Sequence, residues 1–340
     1  MNSKKSTYLA IYVDDGIVCG KNPQNCLQVI ESLNKVFSVS KVTGSSFLGM
    51  EITRTQAGLF ISQRRYIRDI LERFKMSECK GTSRPINDFK ALFACKESAK
   101  ITAPYREAIG CLIYLAKTTR PDLLFAATTL SKFNNDPRET HWSEVKHVLK
   151  YLKHTEGVGL LYANKPSDEI TIDVYSDSDF AGNPQGRRST SGYIVLINGC
   201  PVIFGSRQQS GVAQSSSEAE FVVANEATKE LTWLITFLKE LKVGFMQPKL
   251  HIDNKSAICC IKNNELRRGS KHIEIKYHYI REKYHENQFD LEYIETSNQL
   301  ADFLTKNVKA PILSQLMRKA NMIDDVKMGL VNNATILTSD

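Results

Sequence analysis

The sequence predicts a mixed α/β chain built from more than one domain, and three observations carry that expectation. At 340 residues the chain exceeds the roughly 100–200 residues of one typical domain. Apolar runs of strand length alternate with runs at helical spacing, and the two kinds are unevenly distributed along the chain. Composition is near the globular average, with 42% hydrophobic and 24% charged residues, which excludes collagen-like and wholly disordered chains.

Residues 1–96 open with TYLAIYVDDGIVCG, an apolar strand, a tight turn at Asp14–Asp15–Gly16 and a second apolar strand, hence a hairpin. CLQVIESLNKVFSV has apolar residues at helical spacing. SSFLGMEITRTQAGLFISQ reads as two more strands around a polar turn containing Gly58, and RRYIRDILERFKM as a short basic amphipathic helix. Residues 77–103 are polar and mixed, with Pro85 followed by Pro104, and read as a linker.

Residues 97–167 are predicted to be helical. Pro104 precedes PYREAIGCLIYLAK at a helix start, RPDLLFAATTLSKF follows, and THWSEVKHVLKYLKHT places Trp142, Val145, Val148, Leu149 and Leu152 on one stripe before Gly157 and Gly159 end it. Residues 168–308 alternate. EITIDVYSDSDFAG is a strand ending in carboxylates. TSGYIVLING and CPVIFGSR are strands joined by Asn198–Gly199, a strong hairpin signal. SSSEAEFVVANEATKELTWLITFLKEL is a long helix opened by serines, with Glu218 and Glu220 near its start. KLHIDN, SAICCIKN, QFDLEYIE and NQLADFLTKN then read as strand, helix, strand and final helix. This order predicts a mixed-sheet α/β layer. Residues 309–340 are poorly patterned and are expected to form a loose tail.

The net charge of +8 is uneven: residues 1–97 carry 15 basic against 9 acidic side chains, whereas residues 168–308 carry 16 against 19. A basic front half fits a polyanionic partner such as nucleic acid. No window approaches the roughly 18–20 apolar residues of a membrane span, so no membrane partner is expected. The N-terminus, with carboxylates inside its first apolar run, does not read as a signal peptide. The eight cysteines have neither zinc nor disulfide-framework spacing. A reducing, intracellular setting, cytoplasmic or nuclear, is the expectation.

Four acidic residues carry the chemistry. Asp177 follows an apolar strand, Glu220 lies in the first turn of the long helix, Asp253 closes a strand, and Asp302 lies near the start of the last helix. Ligand sites of open α/β sheets gather at such element ends. Taken singly, each is explained by turn chemistry or by compensation of a helix dipole. Massed together, they repel, and a hard divalent cation such as Mg2+ relieves that repulsion. Two such ions, about 3.5–4 Å apart, activate water and stabilise a leaving oxygen in phosphodiester cleavage.

The sequence resembles the C-terminal part of a copia-type retrotransposon Pol polyprotein. The resemblance runs through YVDD (12–15), FLGMEI (47–52), YREAIGCLIYLAKTTRPDLLFA (105–126), DVYSDSDFAG (173–182), RRSTSGYIVLING (187–199), AQSSSEAEF (213–221), HIDNKSA (251–257), KHIEIKYHYIRE (271–282) and NQLADFLTK (298–306). It implies a truncated reverse transcriptase palm and thumb at residues 1–96, a helical connection at 97–167, an RNase H-like mixed five-stranded sheet with helices at 168–308, and a tail at 309–340. It implies RNA–DNA hybrid as substrate, Mg2+ as cofactor, and Asp177, Glu220, Asp253 and Asp302 as catalytic metal ligands. Asp179, on the same strand face as Asp177, and Glu218 are alternatives. Asp14 and Asp15 match the polymerase metal ligands, but the third carboxylate and the fingers would lie upstream, so DNA synthesis by this chain alone is not expected.

Two basic clusters, Arg187 with Arg188 and Arg267, Arg268, Lys271 with His272, are candidates to hold the hybrid backbone beside the acidic centre. The expected function is metal-dependent cleavage of RNA in RNA–DNA hybrids. The alternative is a non-catalytic transposon-derived remnant that at most binds nucleic acid. A third reading makes the chain one piece of a longer Pol polyprotein, its palm completed by the remaining polyprotein or by another reverse transcriptase subunit.

Overall fold

The computed structural model describes residues 7–39, 46–94, 98–164, 169–263, 271–325 and 329, with residues 271–277 as backbone alone. The chain forms two compact units, residues 1–53 and 54–340.

In the first unit, β1 (Thr7–Tyr12) and β2 (Asp15–Gly20) form an antiparallel hairpin with Tyr12 opposite Asp15. The turn is Val13–Asp14, one residue earlier than the sequence suggests, and Val13 takes a φ of 53°. A positive φ at the first turn position matches the twist of a two-residue hairpin loop. For a β-branched residue that conformation costs roughly 1–3 kcal/mol. Helix α1 (Pro23–Asn34) is capped by Asn22, whose side-chain oxygen accepts from the Gln24 amide at 2.9 Å. Strands β3 (Ser46–Phe47) and β4 (Met50–Arg54) pair around Leu48–Gly49, both at positive φ. Among the described residues of this unit none is buried, and Ile11, Tyr12 and Val13 are largely exposed.

The second unit begins with β5 (Gly58–Ser62) and α2 (Arg64–Arg73), which buries Ile67, Ile70 and Leu71 and exposes Arg65, Arg68 and Arg73. Then come α3 (Ala91–Ala94), α4 (Tyr105–Thr118), α5 (Leu124–Ser131), α6 (Glu139–His154) and β6 (Val158–Ala163). Next are β7 (Ile172–Asp179), β8 (Thr190–Ile197), β9 (Cys200–Gln208), α7 (Ser216–Glu240), β10 (Lys249–Ile252), α8 (Lys255–Lys262), α9 (Lys271–His285) and β11 (Asp290–Tyr293). The chain closes with α10 (Asp302–Thr305), α11 (Ala310–Lys319) and β12 (Met322–Asp324).

The larger sheet has the order β11-β10-β7-β8-β9. Strands β7, β8 and β9 are antiparallel, and β10 runs parallel to both β7 and β11. This is the mixed five-stranded sheet that the resemblance implies. The β8–β9 turn is Asn198–Gly199, with φ of 52° and 82°, the conformation for which that dipeptide is suited. Helix α7 packs Phe221, Ala224, Ala227 and Leu231 on one face of the sheet, against Ile172, Val174, Val195 and Leu250.

The opposite face of the sheet packs against the helical layer. Ile194 and Leu196 of β8 share one core with Leu112, Leu115, Leu124, Val148 and Leu152 of α4–α6 and with Leu313 and Leu316 of α11. Breaks at 96/97, 167/168 and 308/309 therefore fall inside the second unit, and the compact units part at Thr53/Arg54. Residues 309–325 are not a loose tail. Leu313, Leu316 and Met317 bury one stripe of α11, and β12 pairs antiparallel with β6, which pairs in turn with β5. The stretch read as a linker is also packed: Ile86, Leu92 and Phe93 are buried, and the Glu144 carboxylate accepts from the amides of Asn87 (3.0 Å) and Asp88 (3.3 Å).

A buried ion-pair network locks the helical layer. Arg120, fully buried, donates to both Asp122 carboxylate oxygens at 3.0 and 2.7 Å and to the Thr155 carbonyl and hydroxyl at 3.1 and 2.7 Å. The Tyr151 hydroxyl donates to Asp122 at 2.7 Å. No side-chain nitrogen or oxygen of Arg120, Asp122, Tyr151 or Thr155 is left buried without a partner.

Candidate metal centre

Asp177 lies near the C-terminal end of β7, opposite Gly192 of β8. That pairing matters, because a Cβ at Gly192 would lie 2.5 Å from Thr305 Cγ2 and 2.9 Å from Leu304 Cβ. The missing side chain lets α10 close over β7 and bring the Thr305 hydroxyl to the Asp177 carboxylate, to which it donates. Gln299, fully buried, holds the same segment by donating to the Ser176 carbonyl at 3.0 Å.

Helix α7 sorts its two acids. Ser215 caps the helix, its hydroxyl accepting from the Glu218 amide at 3.1 Å, while Glu218 reaches back to accept from the Gln214 amide at 2.8 Å. Glu218 is thus engaged at the cap. Glu220 turns inward, and its Oε1 accepts from the Ser178 amide at 2.9 Å. Its Oε2 is buried without a hydrogen-bond partner. Gln209 ties strand and helix together, donating to Ser191 Oγ and the Ala219 carbonyl, both at 3.0 Å. Asp253 follows β10, with Oδ2 accepting from Thr296 Oγ1 at 2.8 Å.

Asp177, Glu220 and Asp253 converge: one carboxylate oxygen from each lies within 4.8 Å of the others. Asp302 stands beside them but outside that group, with Oδ1 2.9 Å from Lys306 Nζ. The same ammonium lies 3.5 Å from Asp177 Oδ2.

Burial and mutual repulsion push these carboxyls above their ordinary range. Burial, then the Asp177 charge, raises Glu220 to about 9. Burial raises Asp177 against the opposing pull of Lys306 and the Thr305 hydroxyl. Burial, then Asp177, raises Asp302 to about 6. Asp179 is raised as well, chiefly by burial. Burial lowers the Lys306 ammonium, but Asp177 and Asp302 outweigh it, so the net shift is upward. Such crowding of partly desolvated acids recurs at functional sites and in structural ion-pair networks.

Residues 2–88 match the family model described as reverse transcriptase (RNA-dependent DNA polymerase). Over 307 residues the chain is 35% identical to the retrovirus-related Pol polyprotein from transposon RE1 of Arabidopsis thaliana, covering 89% of this chain and 21% of the relative. It is also 35% identical over 310 residues to the Pol polyprotein from transposon TNT 1-94 of Nicotiana tabacum, covering 88% and 23%. The transposon Ty5-1 protein of Saccharomyces cerevisiae is 31% identical over 228 residues, 66% of this chain and 73% of the relative. The chain belongs to the copia-type retrotransposon Pol family. It spans about a fifth of the length of the RE1 and TNT 1-94 polyproteins. Among solved structures, the metagenomic RNase H1 from compost aligns over 40% of this chain and 92% of its own, with 16% identity and a TM-score of 0.33. The same enzyme, solved in complex with an RNA/DNA hybrid, aligns at 15% identity over 40% of this chain and 94% of its own, with a TM-score of 0.30.

The remaining candidate residues of this Pol segment are dispersed. Asp14 and Asp15 are exposed at the hairpin turn of the first unit. Among the described residues, the only acidic or histidine group compact enough to share an ion is Asp177, Glu220 and Asp253. Arg187 and Arg188 are exposed in the loop between β7 and β8. Lys271 and His272 begin α9, and Arg267 and Arg268 lie outside the described residues. No helix among the described residues is long and apolar enough to cross a membrane. Sequence reasoning missed Gly192, Gln209, Gln299, Thr305 and Lys306. Only Lys306 left a signal, four residues after Asp302 and so on the same helical face.

Proposed function

We propose that the second unit is an RNase H-type endonuclease that hydrolyses the RNA strand of an RNA–DNA hybrid in a Mg2+-dependent reaction. One observation carries this reading: Glu220, whose carboxylate clusters with those of Asp177 and Asp253, keeps its Oε2 buried and unpartnered. A carboxylate oxygen left in that state costs several kcal/mol, roughly, unless a cation or proton meets it. The donors are hard oxygens, which suit magnesium. Asp177, Glu220 and Asp253 would hold the ion, with Asp302 next to them. Bound there, magnesium supplies Lewis-acid polarisation of a phosphate and a water of lowered pKa.

The protein's own residues orient the site. Thr305 and Thr296 aim Asp177 and Asp253, the Ser178 amide fixes Glu220, and Gln209 and Gln299 clamp the backbone on either side. Arg187 and Arg188 are exposed on the loop leaving β7, a position from which they contact the hybrid backbone without reading sequence. RNA is told from DNA by groove shape and 2′-hydroxyl contacts. Asp14 and Asp15 belong to a polymerase metal site completed by the remaining Pol polyprotein or another reverse transcriptase subunit. That reading is supported by the reverse transcriptase match over residues 2–88.

The test is cleavage of a labelled hybrid by the full chain with Mg2+. The RNA strand is expected to be cut, activity to vanish with a chelator, and Asp253→Asn and Asp177→Asn to be inactive. A wild-type chain as inert as Asp253→Asn across a range of salt ends the proposal.

A further inference from the structure

The acidic centre is divided by a lysine. Asp177, Glu220 and Asp253 offer oxygens to one common point, and Asp302 does not join them. Between Asp177 and Asp302 stands the Lys306 ammonium, 3.5 Å from Asp177 Oδ2 and 2.9 Å from Asp302 Oδ1. Thr305, the preceding residue, donates its hydroxyl to the same Asp177 Oδ2. Asp302 opens α10 and Lys306 follows its last residue, its amide donating to the Asp302 carbonyl at 3.1 Å, so the acid and its counter-ion stand side by side.

A divalent ion held by Asp177 and Asp302 would compete with the ammonium for Asp177 Oδ2 and Asp302 Oδ1. The ammonium and a divalent ion set against the same two oxygens repel each other, so the ion binds more tightly once the ammonium is displaced. The lysine stem is long and flexible, and the side chain is 36% exposed, so the ammonium has a path to water. Glu220 Oε2 and Asp302 Oδ1 are both buried without a hydrogen-bond partner, but of the two only Asp302 Oδ1 has a cation within ion-pair distance.

We propose that Lys306 is a built-in counter-ion that holds the place of a second cation between Asp177 and Asp302. The centre then loads in order. One divalent ion enters the Asp177, Glu220 and Asp253 pocket, and a second binds only as Lys306 withdraws toward solvent. Lys306 is a positioning residue, setting how many ions the centre holds at a given concentration. The inference rests on the metal-site reading above and deepens it.

Calorimetric titration of the metal-free full chain with Mn2+ tests it, comparing wild type with Lys306→Met and Lys306→Arg. Wild type is expected to bind one ion well ahead of a weak second. Lys306→Met is expected to tighten the second site by at least about tenfold, about 1.4 kcal/mol, and the first by less, because the ammonium lies closer to Asp302 (2.9 Å) than to Asp177 (3.5 Å), the ligand the two sites share. Lys306→Arg retains the charge and is expected to titrate like wild type. Circular dichroism establishes that each variant is folded, and if Lys306→Met does not fold, Lys306→Gln replaces it with the same expectation. Two equal sites in wild type, an unchanged second site in Lys306→Met, or Lys306→Arg behaving like Lys306→Met overturns the proposal. Those results leave the nuclease reading standing. No ion bound by any of the proteins overturns both.

Discussion

Replacing Glu220 by glutamine separates the electrostatic role of this carboxyl from its shape. In the metal-free protein Glu220 titrates at about 9, against 4.5 for an ordinary glutamate, because it is buried beside Asp177. Between those values the folded state holds a proton that the unfolded state releases. A raised carboxyl pKa therefore contributes stability that is fully present below the unfolded value and is lost as pH rises through the folded one. One such proton gives a slope of at most about 1.4 kcal/mol per pH unit. From about pH 6.5 to about pH 8.5 the wild type should lose up to about 3 kcal/mol through this group. Glutamine keeps the acceptor for the Ser178 amide and carries no charge, so Glu220→Gln should lack that part of the slope and be the more stable protein at the alkaline end. The assay is urea unfolding in chelator, followed by circular dichroism at several pH values. Parallel wild-type and Glu220→Gln profiles, or a wild type that gains on Glu220→Gln as pH rises, would refute the reasoning.

Magnesium at a hundred times its dissociation constant should stabilise the wild type by about 2.7 kcal/mol, and calorimetry in buffers of different ionisation enthalpy should detect proton release on binding, since Glu220 must ionise. Thermal shift should show no such stabilisation for Glu220→Gln. Gly192→Ala should lose about 1–3 kcal/mol by overpacking against Leu304 and Thr305 and weaken metal binding, because α10 is pushed off β7; a denaturation midpoint and a Mn2+ titration read the two effects. Arg120→Met strands the buried Asp122 carboxylate and should cost about 3–5 kcal/mol in urea unfolding, with no change in metal affinity per folded molecule.

The parts legible in the sequence were those specified locally. The Asn198–Gly199 turn, the Ser215 cap and the acids at the ends of apolar strands depend on neighbours within a few residues. Glu218 and Glu220 were indistinguishable by spacing, because the choice is made by a capping hydrogen bond that leaves only one of them free to turn inward. Long-range partners left little trace. Strand β12 is three residues long and exists because β6 offers an edge. Helix α11 carries Leu313, Leu316 and Met317 at helical spacing, but its isolation in a polar stretch hid it. Gln209 and Gln299 are ordinary polar residues until the fold surrounds them. Composition shifts at 96/97 and 167/168 do not coincide with breaks in packing.

The shared interior of β8, α4–α6 and α11 makes the larger five-stranded sheet a poor cassette. Cutting before β7 strips Ile194 and Leu196 of their cover, and trimming after Asn307 removes Leu313 and Leu316 from the same interior. Recombination or expression cloning that respects the chemistry has to move the stretch from Arg54 through Asp325 as one indivisible block, much longer than the acids alone would suggest.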